Sequence, residues 1–567
     1  MRQIFKKTAI SLSFLSLLAP ITSCSQSQDT SITYVYVLNA EDYIDKDLIT
    51  SFENKVKEES GKNVKVVYET YDTNETMYNT LKTGKQTYDL VCCSDYMIQR
   101  LVREGLALSF ENAFDNDLLT NYKDYVSPFL ADYNGDEGKL NEISVEVPIY
   151  KDGAIIDYDL THKLTDYAVG YMWGTLGILY NPELIAERNK TNFKNNEVTQ
   201  NFNKEEIVDY IKEDFNSLDG WSALWDPLYK GTQSIKDSMR DTYAVGILEY
   251  YKKYFDPRSE DYIDSLEERN ERFNMCDDAT IRGVQNELIK LKDNIFGFEV
   301  DSGKDDIVTK KIGVNIAWSG DAVNSIGRGY YADNDWEEVR NEEDQVNLYY
   351  ALPELGANVW FDAWTIPSHD ENYFNSDEYK YSMEFLNYLN DPENSVANMS
   401  YNGYTSFIGS NDLNQDVLSY IYESYYLDDG EDYYDISYYF NFTEPFEIEV
   451  GEEEPQVFSF KDEDNDGIID IKVKTDLSSY EGRSLTAQLP EKKNINSLYV
   501  MRDFNTQNNA IVSMWENVKV NPLPIWIVVV LIVFLVGLLG YLGSYKLIRN
   551  YKLKKRKELR KENLDEW

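Results

Sequence analysis

The sequence predicts an α/β fold held at the outer face of a membrane. Three observations predict it. Strand-like and helix-like periods alternate from residue 31 to about residue 410. A charge-free apolar stretch followed by a basic run lies near the C-terminus. The segment between them turns acidic and tyrosine-rich, with apolar residues at every second position.

The order of elements begins with a targeting segment. Arg2, Lys6 and Lys7 precede a mostly apolar stretch, Thr8 to Ala19, that is too short for an ordinary spanning helix. Ile21-Thr22-Ser23-Cys24 resembles the lipobox of bacterial lipoproteins, which implies cleavage before Cys24 and its diacylation. An ordinary signal peptide with an incidental cysteine is the alternative. Residues 1–24 are therefore read as a lipoprotein-type signal peptide, and Ser25 to Thr30 as a polar tether.

Thr33 to Leu38 then reads as a strand, and Asp47 to Glu59 as an amphipathic helix ending at Gly61. Val64 to Tyr68 is the next strand, Thr73 to Thr83 the next helix and Tyr88 to Cys92 a third strand. This β-α-β-α-β order predicts an open, mostly parallel sheet with ligand chemistry at the carboxyl ends of its strands. A second block runs from about Gly170 to Trp360, with strand-like Gly177 to Tyr180 and Ile312 to Trp318. Residues 424–494 read as a β-rich insertion, from alternations such as Phe446-Glu447-Ile448-Glu449-Val450. Asn496 to Val518 reads as helical. Leu523 to Tyr545 carries no charge and exceeds the roughly 20 residues that cross a bilayer. Trp526 and Tyr545 suit the two interfaces, and the basic run after Lys546 puts residues 546–567 in the cytoplasm. The bulk of the chain then faces outward.

Composition excludes several function classes. The formal net charge of −45 over 567 residues repels nucleic acid and draws in cations. With His162 and His369 as the only histidines, a His-rich metal centre is excluded, and no G-x-S-x-G or H-E-x-x-H pattern occurs. Cys92, Cys93 and Cys276 form no spaced disulfide framework, so Cys92 and Cys93 are expected as buried thiols, a vicinal disulfide being the alternative.

Ordered motifs carry a resemblance. They begin with Asn39-Ala40-Glu41-Asp42-Tyr43-Ile44, Tyr71 to Tyr78 with Leu81 to Gly84, and Tyr88 to Tyr96. Tyr171 to Thr175, Trp225 to Gly231, Asp237 to Asp241, Trp318 to Asp321 and Trp360 to Asp362 follow in order. Together they resemble the spermidine/putrescine-binding proteins of bacterial ABC transporters. That resemblance implies a two-lobed periplasmic-binding-protein fold with the ligand in the cleft, no enzymatic activity and no cofactor. It assigns residues 25–170 and 361–410 to one α/β lobe, and residues 171–360 and 411–520 to the other. Partners would be a polyamine, an ABC permease with its ATPase, and the membrane. Tyr43, Ser94 and Tyr96 would line the first lobe's side. Trp318 and Trp360 would be aromatic walls, Asp362 and Asp241 would hold ammonium groups, and Tyr404 would close the site. Carboxylates for charge-assisted hydrogen bonds and aromatic faces for methylenes are what such a ligand needs.

Two positions depart from the family pattern. Ala40 stands where a cleft Trp is usual, and Ser238 where some members have Asp; Asp95 and Asp321 are adjacent acids able to compensate. Asp462, Asp464, Asp466 and Asp470, with Gly467 at the sixth position, have the spacing of a Ca²⁺ loop, though Val473 occupies the last ligand position. A structural Ca²⁺ is one reading and an acidic turn the other. Two further function classes stand beside the transporter reading. One is a surface-anchored binding or adhesion module for another organic cation or a protein. The other is a carboxylate glycosidase, with Asp237 and Asp241 one helical turn apart.

Overall fold

The computed structural model describes residues 32–132, 138–299, 302–332, 338–411, 414–440, 442–451, 455–520 and 525–565. The signal segment, Cys24 and the first residues of the expected span, including Leu523, lie outside these residues.

The chain opens with β1 (Ile32–Ala40), α1 (Lys46–Ser60), β2 (Asn63–Tyr71), α2 (Asn74–Thr83), β3 (Leu90–Ser94) and α3 (Asp95–Arg103). Local chemistry sets these boundaries. The Asp45 side chain accepts from the Asp47 amide at the start of α1, and Gly61 ends the helix in the left-handed region. Leu48, Phe52 and Val56 recur every four residues and are buried. Thr73 caps α2 by accepting from the Thr76 amide. β1 pairs in parallel with both β2 and β3, as the alternating order requires.

The centre of the molecule is built differently. The strand Val169–Tyr180 is buried along its whole length. Its first half pairs antiparallel with Ala357–Pro367, and its second half with Val314–Trp318 and Tyr349–Ala351. The strand thus leaves one lobe and enters the other, and Ala357–Pro367 makes the return, pairing antiparallel with β3. In the second lobe, Val314–Trp318 and Gln233–Lys236 pair in parallel, as do Gln233–Lys236 and Gly297–Glu299. The parallel expectation therefore holds within the lobes and fails at the crossing strands.

A third segment runs beside these two. Leu498–Val500 forms a short strand parallel to Ala357–Val359. It corrects the helical reading of Asn496 to Val518, of which only Asn508–Lys519 is α-helix. The strand's Leu498, Tyr499 and Val500 are all buried, and that burial, which helical periodicity does not forecast, selects pairing.

Residues 424–494 contain two antiparallel pairs, Asp432–Asp435 with Lys472–Thr475 and Phe446–Val450 with Gln456–Phe460. The helix Tyr480–Gln488 follows and stacks Tyr480 on Tyr330, with ring centroids 4.8 Å apart. After Lys519, the helix Ile525–Asp565 carries the apolar stretch and the basic run on one continuous rod. Among the described residues it is the one helix long and apolar enough to cross a membrane.

Candidate ligand-binding site

Strand ends and helix starts from both lobes converge where the crossing strands meet. Ser94 ends β3, Trp318 ends Val314–Trp318, and Lys236 ends Gln233–Lys236. Asp241 lies in the first turn of the helix Met239–Tyr250, whose cap Ser238 accepts from the Asp241 amide. Open α/β sheets offer ligands this carboxyl end.

Asp362 is at the centre. The Tyr43 hydroxyl donates to its Oδ2 at 2.8 Å and the Ser94 hydroxyl to its Oδ1 at 2.7 Å. Asn74 in turn donates to Ser94 Oγ at 3.0 Å. Asp362 also sits on an irregularity of the ladder. It pairs with Met172 while Ala363 pairs with Gly170, so Tyr171 is the extra residue on the opposing strand. Bulges of this kind re-aim side chains beside functional sites. Here the Tyr171 ring packs edge-on against Tyr43, 5.4 Å between centroids, and its hydroxyl donates to the Tyr43 carbonyl at 2.6 Å. Burial pushes the Asp362 carboxyl up to about 6, against the hydrogen bonds from Ser94 and Tyr43.

An aromatic box surrounds this carboxylate. Tyr404 contacts Tyr43 and Trp360 edge-on, at 5.4 and 5.3 Å between centroids. Its close approach is permitted by Gly320, where a β-carbon would stand 2.3 Å from the Tyr404 ring. The Tyr404 hydroxyl donates to Asp321 Oδ1 at 3.1 Å, tying it to the helix Ser319–Tyr330. On the second lobe's side, Trp318 Nε1 donates to Asp241 Oδ1 at 3.4 Å. Burial raises the Asp241 carboxyl above its ordinary range.

Seven of the residues expected from sequence thus come together: Tyr43, Ser94, Asp241, Trp318, Trp360, Asp362 and Tyr404. Tyr96 is nearby, but its ring is covered by the Arg240 guanidinium, 3.7 Å from the centroid. Of the two acids considered as compensation, Asp95 does not face the site. It is 1% exposed, accepts from the Phe361 amide at 3.1 Å, and burial pushes it up to about 8. Asp321 does lie at the site, but it is already paired. Lys236 Nζ is 3.2 Å from its Oδ2 and Lys304 Nζ 3.6 Å from its Oδ1. Lys236 escaped the sequence reading, and Asn74 and Tyr171 lay inside matched motifs without being assigned to the site. A lysine immediately before the matched motif at Asp237 was the available signal for the first of them.

The paired acids of the glycosidase reading separate. Asp237 precedes the helix and accepts from Trp515 Nε1 at 3.1 Å and Lys519 Nζ at 2.9 Å, whereas Asp241 meets Trp318. Cys92 and Cys93 are buried free thiols, and Cys276 is a half-buried free thiol. In the acidic loop, oxygens of Asp462, Asp464 and Asp470 lie within 4.8 Å of one another, a spacing that fits a divalent cation. Asp466 is not in that group and accepts from the Ile468 amide at 2.8 Å. Lys472 pairs with Asp470 at 2.6 Å and competes for the same oxygens.

Comparisons with known proteins bear on the chain as a whole. No family model matches the chain. The spermidine/putrescine-binding periplasmic protein of Escherichia coli is 24% identical over 351 residues, 62% of this chain and 72% of the relative. The putrescine-binding periplasmic protein SpuD of Pseudomonas aeruginosa is 24% identical over 395 residues, 69% of this chain and 81% of the relative. The putrescine-binding periplasmic protein PotF of E. coli is 26% identical over 364 residues, 63% of this chain and 74% of the relative. A solved spermidine/putrescine ABC transporter structure from Listeria monocytogenes aligns over 86% of this chain and 99% of its own. Its TM-score is 0.50 at 20% identity, a likeness of fold. The fold is the two-lobed α/β arrangement of periplasmic binding proteins. The chain resembles the polyamine-binding proteins of ABC transporters, and the relatives it matches are binding components of transporters, not enzymes.

Proposed function

We propose that this protein is the extracytoplasmic substrate-binding component of an ABC importer, which captures a polyamine between its lobes and delivers it to a permease. The observation that carries the reading is Asp362, held by Tyr43 and Ser94 inside the box formed by Trp360 and Tyr404. A half-buried carboxylate rimmed by aromatic rings suits an alkylammonium group. The carboxylate takes its protons in charge-assisted hydrogen bonds, and each ring face adds about 0.5–2 kcal/mol. Asp241, which accepts from the Trp318 indole, offers a second carboxylate from the other lobe. Residues 25–170 and 361–410 form the first lobe in this reading, and residues 171–360 and 411–520 the second. Because the Tyr404–Asp321 bond bridges them, ligand entry requires the lobes to part, a hinge motion.

The membrane assignment belongs to the same proposal. Cys24 carries a lipid, the helix beginning at Ile525 spans the bilayer, and the basic residues after Lys546 lie in the cytoplasm beside the permease and its ATPase. A structural Ca²⁺ in the loop from Asp462 to Asp470 completes it.

Calorimetry on the full chain in lipid nanodiscs tests the reading, with putrescine, spermidine and spermine, calcium-free and calcium-loaded. Binding at micromolar concentration or tighter, weakened at least 100-fold in Asp362→Ala, is the expected result. No heat from any polyamine in either condition would reject the polyamine reading. A thermal midpoint unmoved by calcium would remove the metal from it.

A further inference from the structure

We propose that the Lys236 ammonium is a built-in cation occupying the second lobe's outer ammonium position, so that the site takes a diamine in preference to a triamine or tetraamine. The inference rests on the polyamine reading above and specifies its substrate.

The surroundings of Lys236 are those a ligand ammonium would seek. Its side chain is 1% exposed at the end of the strand Gln233–Lys236. Nζ lies 3.2 Å from Asp321 and 3.5 Å from Glu299. It also stands over the Trp318 ring, 4.4 Å from the centroid. Two carboxylates and an aromatic face make a complete cation site, and the protein fills it with its own side chain. Burial works against the charge, but Asp321 and Glu299 outweigh it and hold the Lys236 pKa above the ordinary lysine value. The group stays cationic at any physiological pH.

What remains open to a ligand follows from this occupancy. Asp321 receives Lys236 and Lys304 and accepts the Tyr404 hydroxyl, so its charge is spent within the protein. The Tyr96 ring faces the Arg240 guanidinium. Glu75, beside Tyr96, is offset by the Arg240 guanidinium, which leaves two carboxylates to the ligand: Asp362, whose partners are hydroxyls, and Asp241, whose Oδ1 accepts from the Trp318 indole. They are near enough for the charge of Asp241 to raise the pKa of Asp362. Two carboxylates match two ammonium groups. A third ammonium would meet Lys236 instead of a free acid, and like charges placed this close repel.

Competitive calorimetry on the full chain in nanodiscs reads the preference. Putrescine should bind at least tenfold tighter than spermidine. Lys236→Met should move the spermidine-to-putrescine affinity ratio at least tenfold toward spermidine, whereas Lys236→Arg should leave the ratio in place. If Lys236→Met does not fold, the Lys236→Met, Glu299→Gln pair removes one of the two stranded carboxylates and reads the same ratio. Spermidine binding as tight as putrescine in the native chain, or a ratio unmoved by removal of the lysine, would overturn the inference while leaving a polyamine receptor standing. Failure of every polyamine to bind would overturn both.

Discussion

Asp362 receives one hydroxyl on each carboxylate oxygen, from Tyr43 and Ser94, and faces the charge of Asp241 across the site. Its pKa, pushed by burial from 3.8 up to about 6, gives the site a pH response. The sign follows from the raised value. Between about pH 4 and 6 the folded protein keeps a proton that the unfolded chain has released, so this group makes the ligand-free protein less stable as pH rises through that window. Ligand binding runs the other way, because an ammonium pairs with the carboxylate and not with the acid. Polyamine affinity should be flat above about pH 7 and fall up to tenfold per unit below about pH 6. Asp362→Asn should bind weakly at all pH values and lose most of that slope. Calorimetry from pH 5 to 8 measures both. A native affinity unchanged between pH 5 and 7.5 would remove Asp362 from the ligand's coordination.

At the scale of elements, the site depends on how closely the helix Ser319–Tyr330 approaches the turn that carries Tyr404. Gly320 is the contact point: a β-carbon there would stand 2.3 Å from the Tyr404 ring. Gly320→Ala should push Tyr404 off Asp321 and away from Trp360. Overpacking of this kind costs roughly 1–3 kcal/mol, and polyamine affinity should drop at least tenfold while the far-ultraviolet circular dichroism stays native. An unchanged affinity would mean that Tyr404 does not close the site. The same elements mark how far the sequence could be read. β1 to β3 were legible because capping residues and a 3.6-residue period leave a local record, as Asp45, Thr73 and Gly61 do here. The strand Val169–Tyr180 was caught only at its end, since a strand buried on both faces has no alternation to display. The bulge at Tyr171 and the strand Leu498–Val500 are set by partners far away in sequence, and no local pattern encodes them. For the site, matched motifs supplied Tyr43 and Asp362, and the resemblance they carry supplied Tyr404. Lys236 belongs to no matched motif, and its role depends on a fold that brings it to Asp321.

At the scale of the whole molecule, the proposed membrane span in the helix Ile525–Asp565 would change what the binding lobes have to accomplish. A free receptor must find its permease by diffusion in three dimensions. A receptor on a spanning helix shares a membrane with it, and a short tether converts docking into an encounter at roughly millimolar effective concentration. The site's residues all lie between Tyr43 and Tyr404, and the helix is exposed along its described residues from Val529 to Arg560. Anchoring and affinity should therefore separate. Removing residues 522–567 should leave putrescine affinity within about twofold of the full chain, measured by calorimetry. Uptake of labelled putrescine by cells making the shortened chain at native levels should fall several-fold, and raising its expression should restore part of that loss. Uptake that matches the full chain at native expression would mean that the proposed lipid at Cys24 is a sufficient anchor, or that docking needs no anchor. A loss of affinity on truncation would instead make the rod part of the binding unit, against the separation the fold implies.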